Sequence, residues 1–116
     1  MDYGFIKVAS AVPSVRVADC KYNVEQIEEQ IVMAEGQGAE IIVFPELSIT
    51  GYTCQDLFRQ NLLLETSEAA MLMLLDFTRQ LNIISIVGLP IAVGDLLLNC
   101  AAVIQKGQIL GVVAKE

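Results

Sequence analysis

Glu46 follows the four apolar residues Ile41, Ile42, Val43 and Phe44 and one proline, Pro45. Lys115 stands in the same situation, directly after Gly111-Val112-Val113-Ala114. A carboxylate just past a buried strand sits where α/β sheets present functional groups, because the strand fixes the backbone and the loop displays the side chain. Taken singly, Glu46 reads as a solvated loop acid and Lys115 as an exposed terminal lysine. Taken together, opposite charges at the ends of two apolar strands point to a polar site at one rim of a sheet. There a carboxylate could take protons and an ammonium could stabilise an oxyanion. An acid and a base of this kind still lack a nucleophile.

The three cysteines do not supply one on spacing alone. Cys20, Cys54 and Cys100 are odd in number, far apart and unaccompanied by histidine. Neither a disulfide framework nor a zinc site is expected from them, and reduced thiols are. Cys54 lies eight residues beyond Glu46 in the same loop region, where a packing or loop role suits it. Cys20, ahead of the first helix, and Cys100, inside an apolar strand, read as small buried side chains. Tyr52 either lines a substrate pocket or closes the loop as a partly buried aromatic, and Asp56 is placed to cap the helix that follows.

The elements that must position these residues follow from periodicity. Phe5 to Val12 reads as a strand, and Asn23 with Gln26 resembles a capping box that opens a helix. Val24, Ile27, Ile31 and Ala34 share one face of that helix, with Glu25, Glu28, Glu29 and Glu35 mainly elsewhere. Gly36 and Gly38 end it, and Ile41 to Phe44 reads as a strand covered on both faces. A short helical piece over Leu57 to Leu64 precedes a second helix carrying Met71, Leu74, Leu75, Thr78 and Leu81. Ile83 to Leu89, Leu97 to Ile104 and Ile109 to Val113 read as strands joined by turns at Gly94-Asp95 and Lys106-Gly107. The pattern predicts one α/β domain over residues 1–116, a layered sheet with both βαβ and hairpin connections.

Composition excludes several classes of partner. A net charge of -7 without a basic cluster would repel nucleic acid and anionic lipid. Apolar runs such as Ala69 to Leu75 fall well short of the roughly 20 residues a membrane span needs. The start MDYGFIK shows no basic region followed by an apolar one, so a cytoplasmic protein is expected.

These residues resemble the nitrilase or carbon-nitrogen hydrolase superfamily. Its first signature is similar to Phe44-Pro45-Glu46-Leu47 with Thr50-Gly51-Tyr52. Its second is similar to Leu98-Asn99-Cys100-Ala101-Ala102-Val103-Ile104, a hairpin with Gly107 and Gly111, and Lys115. Within the superfamily, Gly51-Tyr52-Thr53-Cys54-Gln55-Asp56-Leu57-Phe58 most resembles the amino-terminal glutaminase domains of glutamine-dependent NAD synthetases. The resemblance implies a nitrilase-like α-β-β-α sandwich, of which this chain forms the N-terminal part only. It also implies a Glu-Lys-Cys triad in which Glu46 is the general base and Lys115 stabilises the tetrahedral intermediate. The family's nucleophilic cysteine lies beyond the lysine, so the chain reads as a fragment that stops before it.

Glutamine is the substrate so implied, and the remainder of the parent enzyme is the implied partner. ATP and magnesium would serve a separate synthetase domain, with no metal or cofactor held by this chain. Two alternatives stand beside this reading. One is a stand-alone amidase or carbamoylase of the same superfamily, and the other a non-catalytic truncated module. In each case the unpaired edges of an unfinished sheet favour self-association, so a homo-oligomer is expected.

Overall fold

The computed structural model describes residues 7–16, 19–45, 48–50, 57–94 and 96–115, of which 57–61 and 115 by backbone alone. Its elements are β1 (Val8–Ser10), α1 (Cys20–Gly36), β2 (Ile41–Val43), α2 (Leu57–Phe77), a 3-10 turn (Thr78–Gln80), β3 (Ile84–Val93), β4 (Leu96–Gln105) and β5 (Gln108–Lys115). The strands lie in the sheet in chain order. β1, β2 and β3 are parallel, whereas β3, β4 and β5 form an antiparallel meander.

α1 forms because apolar side chains recur at helical spacing: Cys20, Val24, Ile27, Ile31 and Ala34 are all buried on one face. Its start corrects the capping expectation. The cap is Asp19, whose carboxylate accepts from the Tyr22 N–H at 3.1 Å, one turn ahead of the Asn23-Gln26 pair. Asn23 lies inside the helix with its side chain fully buried. The helix ends at Gly36, and two residues on, Gly38 turns the chain away with a left-handed φ of 83°, its N–H donating to the Glu35 carbonyl at 3.0 Å.

α2 is one helix of 21 residues where the apolar pattern predicts two pieces. The polar stretch Glu65 to Glu68 interrupts the pattern but not the hydrogen bonding. Thr66 Oγ1 turns back to the carbonyls of Leu62 and Leu63. Ser67 simply occupies the buried stripe that runs through Leu63, Ala70, Met71 and Leu74.

Both helices cover the same sheet face. On it Ile42, Val87, Ala102 and Ile104 are buried to within 1% exposure, and burial alternates along β4 through Cys100, Ala102 and Ile104. The opposite face carries Ile41, Val43, Ile84, Ile86, Ala101 and Val103, all only partly buried. Within this chain the helices close one face of β2, and Ile41 and Val43 on the other are partly buried. The strand expected over Phe5 to Val12 is ordered as strand over Val8–Ser10, with positions 1–6 outside the described residues; Val12 is 85% exposed. Among the described residues no helix is long and apolar enough to cross a membrane.

β3 runs past the predicted limit at Leu89 and contains Pro90. Even-numbered residues of β3 turn their backbone groups toward β2: the Ile84 N–H donates to the Glu40 carbonyl at 2.9 Å and the Gly88 N–H to Ser48 Oγ at 3.1 Å. The N–H that Pro90 lacks falls on that side, past the end of β2, so the ladder to β4 is unharmed.

The β4–β5 turn is fastened to the helical layer. Lys106 and Gly107 have φ values of 51° and 78°, the left-handed pair of a tight hairpin. The Gly107 N–H donates to Thr78 Oγ1 at 3.0 Å, and Thr78 Oγ1 in turn donates to the Leu75 carbonyl at 2.9 Å. A Cβ at Gly107 would come within 2.8 Å of Arg79 Cγ. Arg79 can yield, because its side chain is exposed, but the backbone cannot change sign. Gly107→Ala is expected to cost about 1–2 kcal/mol and to lower the urea midpoint of unfolding at unchanged slope.

Candidate active site

β2 and β5 run in the same direction on either side of the antiparallel β3–β4 pair, so both deliver their C-terminal ends to the same side of the sheet. Between those ends lies a cleft of about 540 Å³. Val43, Phe44 and Pro45 form one wall and Val113 and Ala114 another, with Ile86, Gly88 and Ala101 among the floor residues. Pro45 and Ala114 immediately precede Glu46 and Lys115, so the chain enters both candidate residues from the lining of one cleft.

Glu46 and Tyr52 themselves lie outside the described residues, as do Cys54 and Asp56. Lys115 is described as the last residue of β5, paired with Asn99 of β4. Asn99 pairs on its other side with Pro90 of β3 and brings a half-buried carboxamide to an otherwise largely apolar lining. A mostly apolar cleft with few polar groups suits a small organic substrate, and its low dielectric strengthens any charge interaction made inside it.

The chain on either side of Glu46 is tied to β3. On the near side, the Phe44 N–H donates to the Ile86 carbonyl at 2.9 Å. On the far side, the Ile49 N–H donates to the Gly88 carbonyl at 3.1 Å, and the Gly88 N–H donates to Ser48 Oγ at 3.1 Å. Periodicity does not reveal these ties, because each links residues about 40 positions apart.

Two cysteines can be judged as nucleophiles. Cys20 is 3% exposed and sits between α1 and α2, its Sγ 3.6 Å from Thr66 Oγ1. Burial pushes its thiol pKa up, a trend that the Thr66 hydrogen bond opposes and the nearby Asp19 reinforces. It thus stays a protonated thiol, a poor attacking group. Cys100 is buried in β4 in alternation with Ala102 and Ile104, and it is among the residues that border the cleft. Both agree with the reading of these two as packing residues. Among the described residues no three His, Cys, Asp or Glu side chains gather so as to hold a metal ion.

A helix-covered sheet of parallel and hairpin-linked strands, with a cleft at the ends of β2 and β5, defines a nitrilase-like α/β domain. Residues 7–116 match the carbon-nitrogen hydrolase family, and the chain belongs to it. Among named relatives, it is 33% identical over 114 residues to the glutamine-dependent NAD(+) synthetase of Mycobacterium tuberculosis, covering 98% of this chain and 17% of that protein. Over 100 residues it is 37% identical to the enzyme of the same name from Aquifex aeolicus, covering 86% of this chain and 17% of that one. The chain therefore spans about one-sixth, 17%, of the length of these relatives.

Among solved structures, a glutamine-dependent NAD(+) synthetase from Cytophaga hutchinsonii superposes with a TM-score of 0.84 at 30% identity, over 96% of this chain and 19% of that one. A variant of a Nesterenkonia amidase from the nitrilase superfamily superposes with a TM-score of 0.82 at 25% identity, over 95% of this chain and 42% of the amidase.

The burial and protonation of Cys20 are open to direct measurement. Brief iodoacetamide treatment of the native protein at neutral pH should leave Cys20 unmodified, while the urea-unfolded protein is labelled there completely. Peptide mass mapping reads the two states, and rapid native labelling of Cys20 would contradict its assignment as a packing residue.

Proposed function

We propose that this chain is the opening part of a glutaminase domain in a glutamine-dependent NAD synthetase. The observation that carries the reading is the shared cleft: the residues leading into Glu46 and into Lys115 line it together. Family membership and the identity to named NAD synthetases support the same conclusion.

In this reading a cysteine thiolate attacks the side-chain amide carbon of glutamine, and Lys115 stabilises the oxyanion of the tetrahedral intermediate. Glu46, which takes the thiol proton as the sulfur attacks, gives a proton to the departing nitrogen, so ammonia leaves as the thioester forms. Water then hydrolyses the thioester to glutamate, with Glu46 again as base. Tyr52, outside the described residues, is proposed as a substrate-binding side chain. The family resemblance places the nucleophilic thiol beyond Lys115, in the remainder of the parent protein, and not at Cys20, Cys54 or Cys100. ATP and magnesium act in the synthetase part of the parent protein and use no residue of this domain. The free buried Cys20 and Cys100 fit a reducing, cytoplasmic setting, and assembly of the parent protein into homo-oligomers is part of the same proposal. A stand-alone amidase is the second reading, favoured by the superposition on the Nesterenkonia enzyme.

The test is made in the full-length protein that carries this chain. Glu46→Gln is expected to lower ammonia release from glutamine by about 10²–10⁴-fold, and Lys115→Met by about 10²–10³-fold. Added ammonium with ATP, magnesium and deamido-NAD should still yield NAD in both variants. No NAD from any nitrogen source would move the assignment to the stand-alone amidase, and full glutamine turnover in both variants would refute the site. Residues 1–116 alone should release no ammonia; turnover that Cys54→Ala abolishes would overturn the placement of the nucleophile.

A further inference from the structure

Asn23 is a polar residue on an apolar stripe. It lies on the buried face of α1 with Cys20, Val24 and Ile27, and none of its surface is exposed. A carboxamide in such a place is costly unless its hydrogen-bonding groups are used, and here they are. Asn23 Oδ1 accepts from the Arg16 N–H at 2.7 Å, and Nδ2 donates to the Arg16 carbonyl at 2.8 Å. The second Nδ2 hydrogen is directed to the Ile49 carbonyl at 2.8 Å. One side chain thus clasps the β1–α1 connection on one side and the chain just past Glu46 on the other.

That third bond joins others that fix the described chain on either side of residues 46 and 47. Ile49 is held by its carbonyl to Asn23 and by its N–H to the Gly88 carbonyl. Ser48 is held by its hydroxyl to the Gly88 N–H, and Phe44 by its N–H to the Ile86 carbonyl. The chain from Phe44 to Ile49 is anchored at both ends to points two residues apart on β3, a separation of about 7 Å. Ser48 and Asn23 are its side-chain fasteners. Both are buried, at 2% and 0% exposure, so water cannot readily replace their bonds when they are removed.

We propose that Asn23 and Ser48 are positioning residues for Glu46, acting by fixing the chain that directly follows it. They touch neither substrate nor reacting atoms. Their effect reaches the chemistry through the placement of Glu46, where a displacement of about 1 Å costs on the order of 10²-fold in rate. The inference rests on the glutaminase reading of Glu46 and adds to it two residues that neither a strand-end argument nor a family signature picks out.

The experiment measures glutamine-dependent ammonia release in the full-length protein for Asn23→Ala, Ser48→Ala, Glu46→Gln and each pairing with Glu46→Gln. A positioning role predicts that Asn23→Ala lowers kcat by about 10²-fold while KM changes little, with a smaller fall of the same kind for Ser48→Ala. It also predicts that neither change costs anything further once Glu46 is already Gln. Folded Asn23→Ala and Ser48→Ala proteins with unchanged kcat, or losses that multiply in full with that of Glu46→Gln, would overturn the proposal. Should Asn23→Ala fail to fold, Ser48→Ala decides by the same criteria, because it removes one hydrogen bond and leaves the helix stripe intact. Full activity of Glu46→Gln alone would instead sink the glutaminase reading, an outcome distinct from failure of the positioning role.

Discussion

The structure hangs on β3, the strand with different neighbours on its two edges. One edge accepts the short parallel strand β2 and then, beyond it, the Ser48–Ile49 segment; the other carries the long antiparallel pairing with β4. Its backbone groups divide by parity, even-numbered residues serving the β2 side. That division lets a proline sit at position 90 without breaking the sheet, and it gives the chain around Glu46 its two points of attachment. Side chains divide by the same parity: Ser85, Val87 and Leu89 are buried under the helices, while Ile84 and Ile86 belong to the open face. Stability is drawn chiefly from the helix-covered face, and the cleft lies at the strand ends with lining residues from both.

Much of this was legible in the chain. The spacing of Val24, Ile27, Ile31 and Ala34 identifies the buried face of α1, because a helix of 3.6 residues per turn brings just those positions together. The turns at Gly94-Asp95 and Lys106-Gly107 mark both hairpins, since few residues other than glycine tolerate a left-handed backbone. The placement of Glu46 and Lys115 after apolar runs suggests a common rim. That Pro45 and Ala114 share a cleft follows only from strand direction, which needs the order β2-β3-β4-β5.

The misreadings have separate physical causes, and for Asn23 it is long-range bonds that override local preference. Asn23 looks like a helix-capping residue because asparagine favours that role locally. Its partners Arg16 and Ile49 lie in two separate connections, and the pull of those bonds turns it inward. The signal that could have revealed it is its own position, one residue before Val24 on the buried stripe, where a polar group demands partners. Thr66 and Ser67 likewise break the apolar rhythm of α2 without breaking the helix, because a threonine hydroxyl can bond within its own turn. β2 reads as doubly covered because each of its residues is apolar; within this chain only the helix-covered face is closed, and what packs on the other is not encoded in a three-residue strand.

The open sheet face has a colloidal consequence. Ile41, Val43, Ile84, Ile86, Ala101 and Val103 form a continuous apolar patch, and the edge strand β5 adds Val113 at 64% exposure. Such a surface attracts its like at contact, whereas a net charge of -7 holds copies apart at longer range. The two forces respond differently to salt. With the screening length falling from about 30 Å at 0.01 M to about 3 Å at 1 M, repulsion between isolated copies of residues 1–116 would fade while the attraction persists, so salt favours contact through this face.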